Sequence, residues 1–134
     1  MGHRGNIGII QDARNETPLF LYTHWTGHRV TALLADGLVR TVESGRITDR
    51  SYATRIIFDT LTEGSQGTLG YGISVGEPDD NEYPIPTVVW GWNPLDPYGP
   101  PKVTYEGADY TPEQFIKMFR LKEASSTVDE VPVA

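Results

Sequence analysis

One stretch near the amino end of the chain combines residue types that acid–base chemistry and ring stacking require. Residues 22–29 read Tyr-Thr-His-Trp-Thr-Gly-His-Arg. The unperturbed pKa of histidine lies near neutrality, so His24 can act as a general acid or base. Tyr22 and Trp25 can stack on a nucleobase, and Arg29 with the N–H groups that open a helix can receive a phosphate. The alternative is that His24 and Trp25 are half-buried packing residues and that His28 is solvated.

Charge is distributed unevenly along the chain. Residues 1–57 carry seven basic residues, all Arg, and five acidic ones, which gives a net charge of +2. Residues 58–134 carry four basic and 13 acidic residues, a net charge of −9, and the whole chain has −7. The arginines either lie on solvated helix faces or form a local cluster for phosphate or carboxylate. The negative total argues against general nucleic-acid binding.

The acidic residues are densest at 77–84, which read Glu-Pro-Asp-Asp-Asn-Glu-Tyr-Pro. Carboxylate and amide oxygens can bind Ca²⁺ or Mg²⁺, but the spacing does not match an EF-hand. We favour a solvated loop that ends at proline and holds no metal. A third interpretation turns Asn81 and Glu82 inward to pair with arginines of the first half, which would account for the uneven charge.

The amino-terminal residues 2–6 read Gly-His-Arg-Gly-Asn, and glycine-rich backbone can cradle a phosphate. The segment lacks both the phosphate-loop pattern and the dinucleotide-binding fingerprint. His24 and His28 straddle Gly27 at a strand–helix junction, so a histidine metal site is not predicted. The chain also lacks cysteine, which removes thiolate chemistry and disulfides, and no cofactor is predicted.

Size and hydropathy indicate one domain inside the cell. A chain of 134 residues fits a single domain that folds without a disulfide or a structural metal. The first residues lack the apolar core of a signal peptide, and no apolar run approaches the ~20 residues of a membrane span. We therefore expect a cytoplasmic protein that does not enter a membrane.

Hydrophobic periodicity predicts the element order β-β-α-α-β-β-β-α. Short apolar runs predict strands at 6–11, 19–25, 68–76, 87–92 and 103–106. Apolar residues at steps of three and four predict a helix that ends before Gly45 and buries Val30, Leu33, Leu34, Leu38, Val39 and Val42. A second helix, capped by Thr48 or Asp49, is expected to bury Tyr52, Ile56 and Leu61.

The last helix has the clearest local signal. Residues 111–114 read Thr-Pro-Glu-Gln, which predicts a capping box and a helix that turns Phe115, Met118 and Phe119 inward. The order as a whole predicts a single α+β domain over residues 1–122, with a mainly antiparallel sheet and helices on one face. Residues 123–134 are small, polar and acidic, and we expect them to form a disordered tail.

Several of these segments together resemble a family of short uncharacterised proteins of actinobacteria and their phages. The resemblance covers about residues 1–84 and rests on the start Met-Gly-x-Arg-x-Asn-Ile and on four blocks: Leu-Tyr-Thr-His-Trp, Arg-Ile-Ile-Phe, Gly-Tyr-Gly-Ile-Ser and Asp-Asn-Glu-Tyr-Pro. It implies a phage or mobile-element context and carries no established activity. Because the shared residues are mostly polar or aromatic, a ligand site built from them is an attractive hypothesis.

Three functions remain open. The first is an accessory protein that binds a small phosphate-bearing nucleotide, in a phage setting by sequestering a host defence signal. Its candidate ligand-binding residues are Arg4, Asn6, Tyr22, His24, Trp25, Arg29, Arg55, Asn81 and Glu82. The second is an acidic inhibitor that docks on a basic host protein through exposed Trp90, Trp92, Tyr98 and the acidic segment.

The third function is a hydrolase of a phosphoester or glycosidic bond, with His24 as acid–base residue and Arg55 as phosphate clamp. We rank both binding functions above this enzyme. Three Trp and seven Tyr residues are many for so small a chain to hide, so a homo-oligomer also fits the composition.

Overall fold

A computed structural model describes residues 2–15, 17–64 and 69–120 of the chain. The predicted tail at 123–134, and residue 68 of the predicted third strand, lie outside the described residues. Within the described ranges, no helix is both long and apolar enough to cross a membrane.

In the residues that the structure describes, six strands form one mixed sheet in the order β3-β2-β1-β4-β5-β6. The strands are β1 Gly5–Ile10, β2 Leu19–Thr23, β3 Tyr71–Val75, β4 Thr87–Val89, β5 Lys102–Tyr105 and β6 Ala108–Tyr110. Only the pairing of β1 with β4 is parallel, and the other neighbours are antiparallel. The predicted α+β class with a mainly antiparallel sheet is therefore confirmed.

The sixth strand, β6, was not predicted. It is three residues long and follows β5 through Glu106 and Gly107, whose φ angles are +48° and +81°. Two consecutive positive φ angles are typical of the turn that closes a tight hairpin. The sequence signal was the Glu-Gly pair, which is weaker than Asn-Gly or Asp-Gly because a glutamate rarely adopts positive φ.

The helices are α1 Val30–Glu43, α2 Arg50–Thr62 and α3 Pro112–Phe115. A 3-10 turn, Gly27–Arg29, leads into α1, and a π-helical turn, Ile116–Arg120, follows α3. Asp49 caps α2 by accepting a hydrogen bond from the N–H of Tyr52. The capping box of α3 is confirmed in both directions between Thr111 and Gln114.

The core lies between the sheet and the helices. Ile7, Ile9 and Leu21 point from the sheet toward α1 and α2 and are fully buried. Gly37 lets the two helices approach closely, because a Cβ there would lie 3.2 Å from the Cα of Ile57. This packing of α2 on α1 fixes which face of α2 is buried.

Some predicted inward side chains are exposed. α2 buries Ala53, Ile57 and Leu61, one position on from the predicted Tyr52 and Ile56. The pattern of α2 is ambiguous because both sets of residues recur at helical spacing, and contact with Gly37 selects the second set. Tyr52 instead lies 4.5 Å below the guanidinium of Arg46. Also exposed, against prediction, are Val42 of α1 and Met118 of the π-helical turn.

On the opposite face of the sheet, no helix of the described part of the chain covers β1 and β2. Strand alternation places Asn6 and Tyr22 on that face, since their neighbours Ile7 and Leu21 point into the core. The chain from β3 to β4 crosses this face at residues 76–86, because β3 and β4 lie on opposite sides of the β2–β1 pair. The acidic segment is thereby placed over the start of β1.

Candidate functional site

The start of β1 and the end of β2 lie side by side, because Gly5 pairs with Thr23 in the antiparallel ladder. The segments before β1 and after β2 therefore leave the sheet together. Gly27 donates its N–H to the carbonyl of His3 at 2.6 Å. A Cβ on Gly5 would lie 2.7 Å from the Cα of Gly27, so this contact requires glycine at both positions. We call the surface formed here by His3, Tyr22, His24, Trp25, His28 and Tyr83 the histidine end.

Arg4 is bound by the acidic segment. Its guanidinium donates to Glu82 at 2.7 Å and to Asp80 at 3.3 Å, and its backbone N–H donates to Glu82 at 3.1 Å. The hydrogen bonds from Arg4 lower the pKa of Glu82. The expected pairing of Glu82 with an arginine of the first half of the chain is thus observed with Arg4. The donors of the Arg4 side chain are directed at carboxylates.

Asn6 anchors the same segment from below. It is completely buried, and its Nδ2 lies 3.3 Å from the carbonyl oxygens of Asp79 and Asp80 and 3.1 Å from Oδ1 of Asn81. Its own Oδ1 is buried and has no hydrogen-bond partner in the described part of the chain. Asn6 therefore acts as a hydrogen-bond donor, and it holds the backbone carbonyls of the acidic segment over the sheet.

Tyr22 and His24 form a hydrogen-bonded pair. The Tyr22 hydroxyl lies 3.1 Å from Nδ1 of His24. Burial raises the pKa of Tyr22, and the carboxylates of Asp79 and Asp80 raise it further. The phenol is therefore neutral at physiological pH, and His24 has a fixed partner for one ring nitrogen.

Trp25 is exposed but firmly placed. Its ring lies directly on Gly70, where a Cβ would come within 1.8 Å of the indole. The rings of His24 and Tyr71 pack against it in edge-to-face geometry, with centroids at 5.6 Å and 5.8 Å. The hydroxyl of Thr23 accepts from the backbone N–H of Trp25 and fixes the turn. Trp25 is 44% exposed, and its ring also contacts the backbone at Gly70.

His3, His28 and Tyr83 form a second ring cluster that sequence reasoning missed. The imidazoles of His3 and His28 lie 4.2 Å apart, and Nδ1 of His3 lies 2.7 Å from the hydroxyl of Tyr83. Tyr83 follows the loop that Arg4 holds, which is why it reaches the amino terminus. The sequence signal for Tyr83 was only its place in one of the resembling blocks.

The structure brings together most of the predicted site residues but not all of them. Arg4, Asn6, Tyr22, His24, Trp25, Asn81 and Glu82 lie around the start of β1. Arg29 is half-buried at the end of the 3-10 turn. Arg55 lies on the exposed side of α2, across the sheet from Asn6, and its guanidinium binds Asp59.

Residues 72–76 read Gly-Ile-Ser-Val-Gly, so the interpretation that the chain lacks the sequence pattern of a hydrolase nucleophile elbow is wrong. That elbow needs serine on a sharp turn between a strand and a helix. Ser74 instead lies inside β3, and its hydroxyl donates to the carbonyl of Glu77 at 2.9 Å. The pattern therefore does not form an elbow in this fold.

The negative charges at the histidine end favour contact with a neutral ring over contact with an anion. Asp80 and Glu82 accept hydrogen bonds from the guanidinium of Arg4, and the carboxylates of Asp79, Asp80 and Glu82 all act on Tyr22. Among the described residues, no three His, Asp or Glu side chains are grouped so that they could hold a metal ion. The arrangement can stack a planar group on Trp25 and exchange a proton through the Tyr22–His24 pair.

The opposite end of the sheet has a different character, and we call it the arginine end: Asp12, Arg14, Arg50, Trp92 and Tyr98. Arg14 and Arg50 lie over the Tyr98 ring at 5.2 Å and 5.5 Å. Arg14 donates hydrogen bonds to the carboxylate of Asp12. Arg50 donates to the carbonyl of Gln11 and forms an ion pair with Asp12. Trp90, predicted to be exposed nearby, is completely buried and donates its indole N–H to the carbonyl of Ile47.

No protein-family model, curated protein or solved structure matches this chain. The resemblance to short actinobacterial and phage proteins stays a prediction.

Proposed function

We propose that this protein is a binding protein for a small ligand with a planar ring, of the nucleotide class, and that the ring stacks on Trp25. The observation that carries the proposal is an indole that is 44% exposed yet fixed by Gly70, His24 and Tyr71. A side chain that is already ordered loses little conformational entropy when a ligand binds. Stacking of a base on an aromatic side chain is worth about 1–3 kcal/mol.

The charges of the site refine the ligand class. Arg4 was expected to hold a phosphate, but its donors face Asp80 and Glu82. Carboxylates this close repel a phosphate, so we propose that the phosphate of a nucleotide points away from Arg4 into solvent. Near Tyr22 the negative surroundings favour a neutral or cationic part of the ligand.

The biological role stays a proposal built on the resemblance. In a phage setting, binding without turnover would remove a nucleotide signal from a host defence pathway. The Tyr22–His24 hydrogen bond supports a second candidate, in which His24 moves a proton and the bound ligand is hydrolysed. The two candidates share the ring surface and differ in the fate of the ligand.

For the alternative function, binding of a protein partner, we propose a surface at the arginine end. Leu95 is 94% exposed and Tyr98 is 70% exposed, and the neighbouring cations are Arg14, Arg50 and Lys102. The acidic segment lies at the other end of the sheet. A partner bound by this surface would thus be acidic, whereas the sequence suggested a basic one.

Calorimetric titration with adenosine, NAD, ADP-ribose and cyclic dinucleotides tests the ring-binding proposal. The matched variants are Trp25→Ala and Trp92→Ala, because the two indoles are similarly exposed, at 44% and 42%, at opposite ends of the sheet. We expect Trp25→Ala to weaken binding roughly 10-fold or more and Trp92→Ala to leave it unchanged. Equal effects of the two variants, or a panel in which no compound binds, would contradict the proposal.

Recovery of the ligand after heat denaturation separates binding from turnover. Intact ligand supports sequestration, and a product whose formation stops in His24→Ala supports the hydrolase. Arg4→Gln tests the phosphate position. We expect it to change the affinities for adenosine and for ADP-ribose by the same factor, and a selective loss for ADP-ribose would restore Arg4 as a phosphate contact.

A further inference from the structure

Strand β3 is an outer strand of the sheet, and no strand formed by the described residues pairs with its outer edge. Gly70 accepts from His24 and Gly76 donates to Pro18, so the even-numbered residues of β3 direct their backbone groups at β2. In an antiparallel ladder these groups alternate between the two sides. The N–H and C=O groups of Tyr71, Ile73 and Val75 therefore point outward, where they can pair with another strand.

The outward-facing strand also carries an apolar row. Ile73 and Val75 are 58% and 65% exposed, on the sheet face that α1 and α2 cover farther in. Natural edge strands are usually protected by charged residues, proline or a bulge. Residues 71–75, Tyr-Gly-Ile-Ser-Val, contain no charge and no proline.

We infer that this edge pairs with β3 of a second copy of the chain, antiparallel about a two-fold axis at Ile73. In this register Ile73 of one copy faces Ile73 of the other, and Tyr71 faces Val75. Every outward backbone group then finds a partner, giving roughly six hydrogen bonds between the copies. On the other face Gly72 meets Ser74, so no bulky or charged side chains collide.

The symmetry of the strand favours a second copy over another partner. A two-fold interface needs a surface that is complementary to itself, and residues 71–75 have matching apolar positions on either side of Ile73. The other outer strand, β6, is only three residues long and carries the exposed Asp109, a charged residue of the kind that protects edge strands, whose carboxylate is paired with Lys102 of β5. Strand β3 is therefore better suited than β6 to pair with a strand of another molecule.

Charge gives the interface a characteristic salt dependence. Each copy carries a net charge of −7, and the acidic segment begins next to β3 at Glu77. Salt screens repulsion between two such copies, with a Debye length of about 8 Å at physiological ionic strength. Self-association should thus strengthen as salt is added, whereas a basic peptide added to the same edge would bind more weakly.

Sedimentation velocity over a concentration series tests this inference on the full chain. We expect a species of twice the 14.9 kDa chain mass that increases with concentration and with salt. Ile73→Lys places two like charges opposite each other and should raise the dimer dissociation constant at least about 100-fold. The matched control is Leu95→Lys, which adds the same charge at an exposed apolar residue of a distant loop and should not change the dimer.

Hydrogen exchange supplies the second readout. The amides of Ile73 and Val75 should become protected as the dimer forms, and Val75→Pro, which removes one outward N–H, should weaken the dimer while the fold survives. A single-chain mass at every concentration would overturn the inference. So would a dimer that Ile73→Lys leaves intact, or amides that are protected in the monomer, which would mean that another part of the same chain covers β3. Ring binding at Trp25 is measured separately and does not depend on this result.

Discussion

The histidine end and the arginine end close the same sheet by different means. At the histidine end, backbone meets backbone where Gly5 touches Gly27, and the buried Asn6 holds the acidic segment. At the arginine end, long side chains span the gaps, and Arg50 donates to the carbonyls of Gln11 and Pro97. Backbone contacts hold the rings that pack on them in place. Hydrogen bonding by arginine depends instead on charge and on the order of a long side chain. Rings of the histidine end are thus positioned by backbone contacts, whereas Tyr98 at the arginine end is positioned by arginine side chains.

The largest expected effect comes from the glycine contact. In Gly27→Ala the new Cβ would lie 2.6 Å from backbone atoms of His3, Arg4 and Gly5, none of which can move alone. We expect a loss of about 3 kcal/mol in the free energy of unfolding, measured by urea denaturation.

Two other glycines calibrate that loss. Gly91, at the arginine end, has φ +73° and would bring a Cβ within 2.7 Å of the Asp12 carboxylate, so Gly91→Ala should cost about 1–2 kcal/mol. A Cβ on Gly72 meets nothing within 4 Å, and Gly72→Ala should be close to neutral. If Gly91→Ala proved as costly as Gly27→Ala, the contrast between the two ends would fail.

The second prediction concerns the loops. Asn6→Asp replaces the amide donor by a carboxylate facing the carbonyls of Asp79 and Asp80, and should cost about 2–3 kcal/mol. Hydrogen exchange should show the amide of Glu82 losing protection, because that amide donates to Arg4 only while the loop is held.

Arg50→Ala is the counterpart at the arginine end. It removes the donor to Pro97, so the amide of Gly99 in the neighbouring turn should lose protection while Glu82 keeps it. Loss of protection at both ends in either variant would show that the two loops open together, and the regions would then be one cooperative unit.

The third prediction uses acid. Hydrogen bonds from the Arg14 side chain lower the pKa of Asp12 from its ordinary 3.8 to about 2. The unfolded chain binds the proton first, so this contribution to stability is present above pH 3.8 and is lost as the pH falls toward 2. We expect the urea midpoint of Asp12→Asn to depend less on pH in that window than the wild-type midpoint.

Glu82 provides the same test at the histidine end. Its pKa is lowered mainly by the hydrogen bond from Arg4, so its contribution is also lost as the pH falls below the ordinary carboxyl range. Glu82→Gln should flatten the profile as well. Profiles that keep the wild-type slope in both variants would mean that these ion pairs do not stabilise the fold.

The smallest effect is expected for Arg55. Its ion pair with Asp59 joins two exposed side chains four residues apart on α2, which is worth about 0.3–0.5 kcal/mol. Arg55→Ala should leave ligand affinity unchanged, measured with whichever panel compound binds best. A loss of affinity comparable to that of Trp25→Ala would return Arg55 to the site.

Much of the fold could be predicted because its elements have local signals. The capping box at Thr111 and the helical spacing of Leu34 and Leu38 each depend only on residues close together in sequence. The face of α2 was wrong by one position because contact with Gly37, distant in sequence, decides it. Strand order, including the parallel pairing of β1 with β4, depends on long-range packing that periodicity does not report.

For the site, residue type predicted more than geometry. Tyr22, His24 and Trp25 were singled out by their ring chemistry and lie together because they fall within four residues of the chain. Arg55 was singled out by its charge and by its place in the Arg-Ile-Ile-Phe block, and the rotation of α2 places it away from the other candidates. Tyr83 was missed because only the long loop, pulled down by Arg4, brings it to His3.

The crossing of residues 76–86 over the sheet has a consequence for how the chain folds. The contacts of Arg4 and Asn6 with this loop join residues 73 to 78 positions apart in a chain of 134. Contacts of such long range form late, because the entropy of closing the loop must be met before they contribute. A chain that has emerged only through α2 contains Tyr22, His24 and Trp25 but lacks the strand and the loop that fix them. The proposed ring binding would therefore begin only after β3 and the loop that follows it have taken their places.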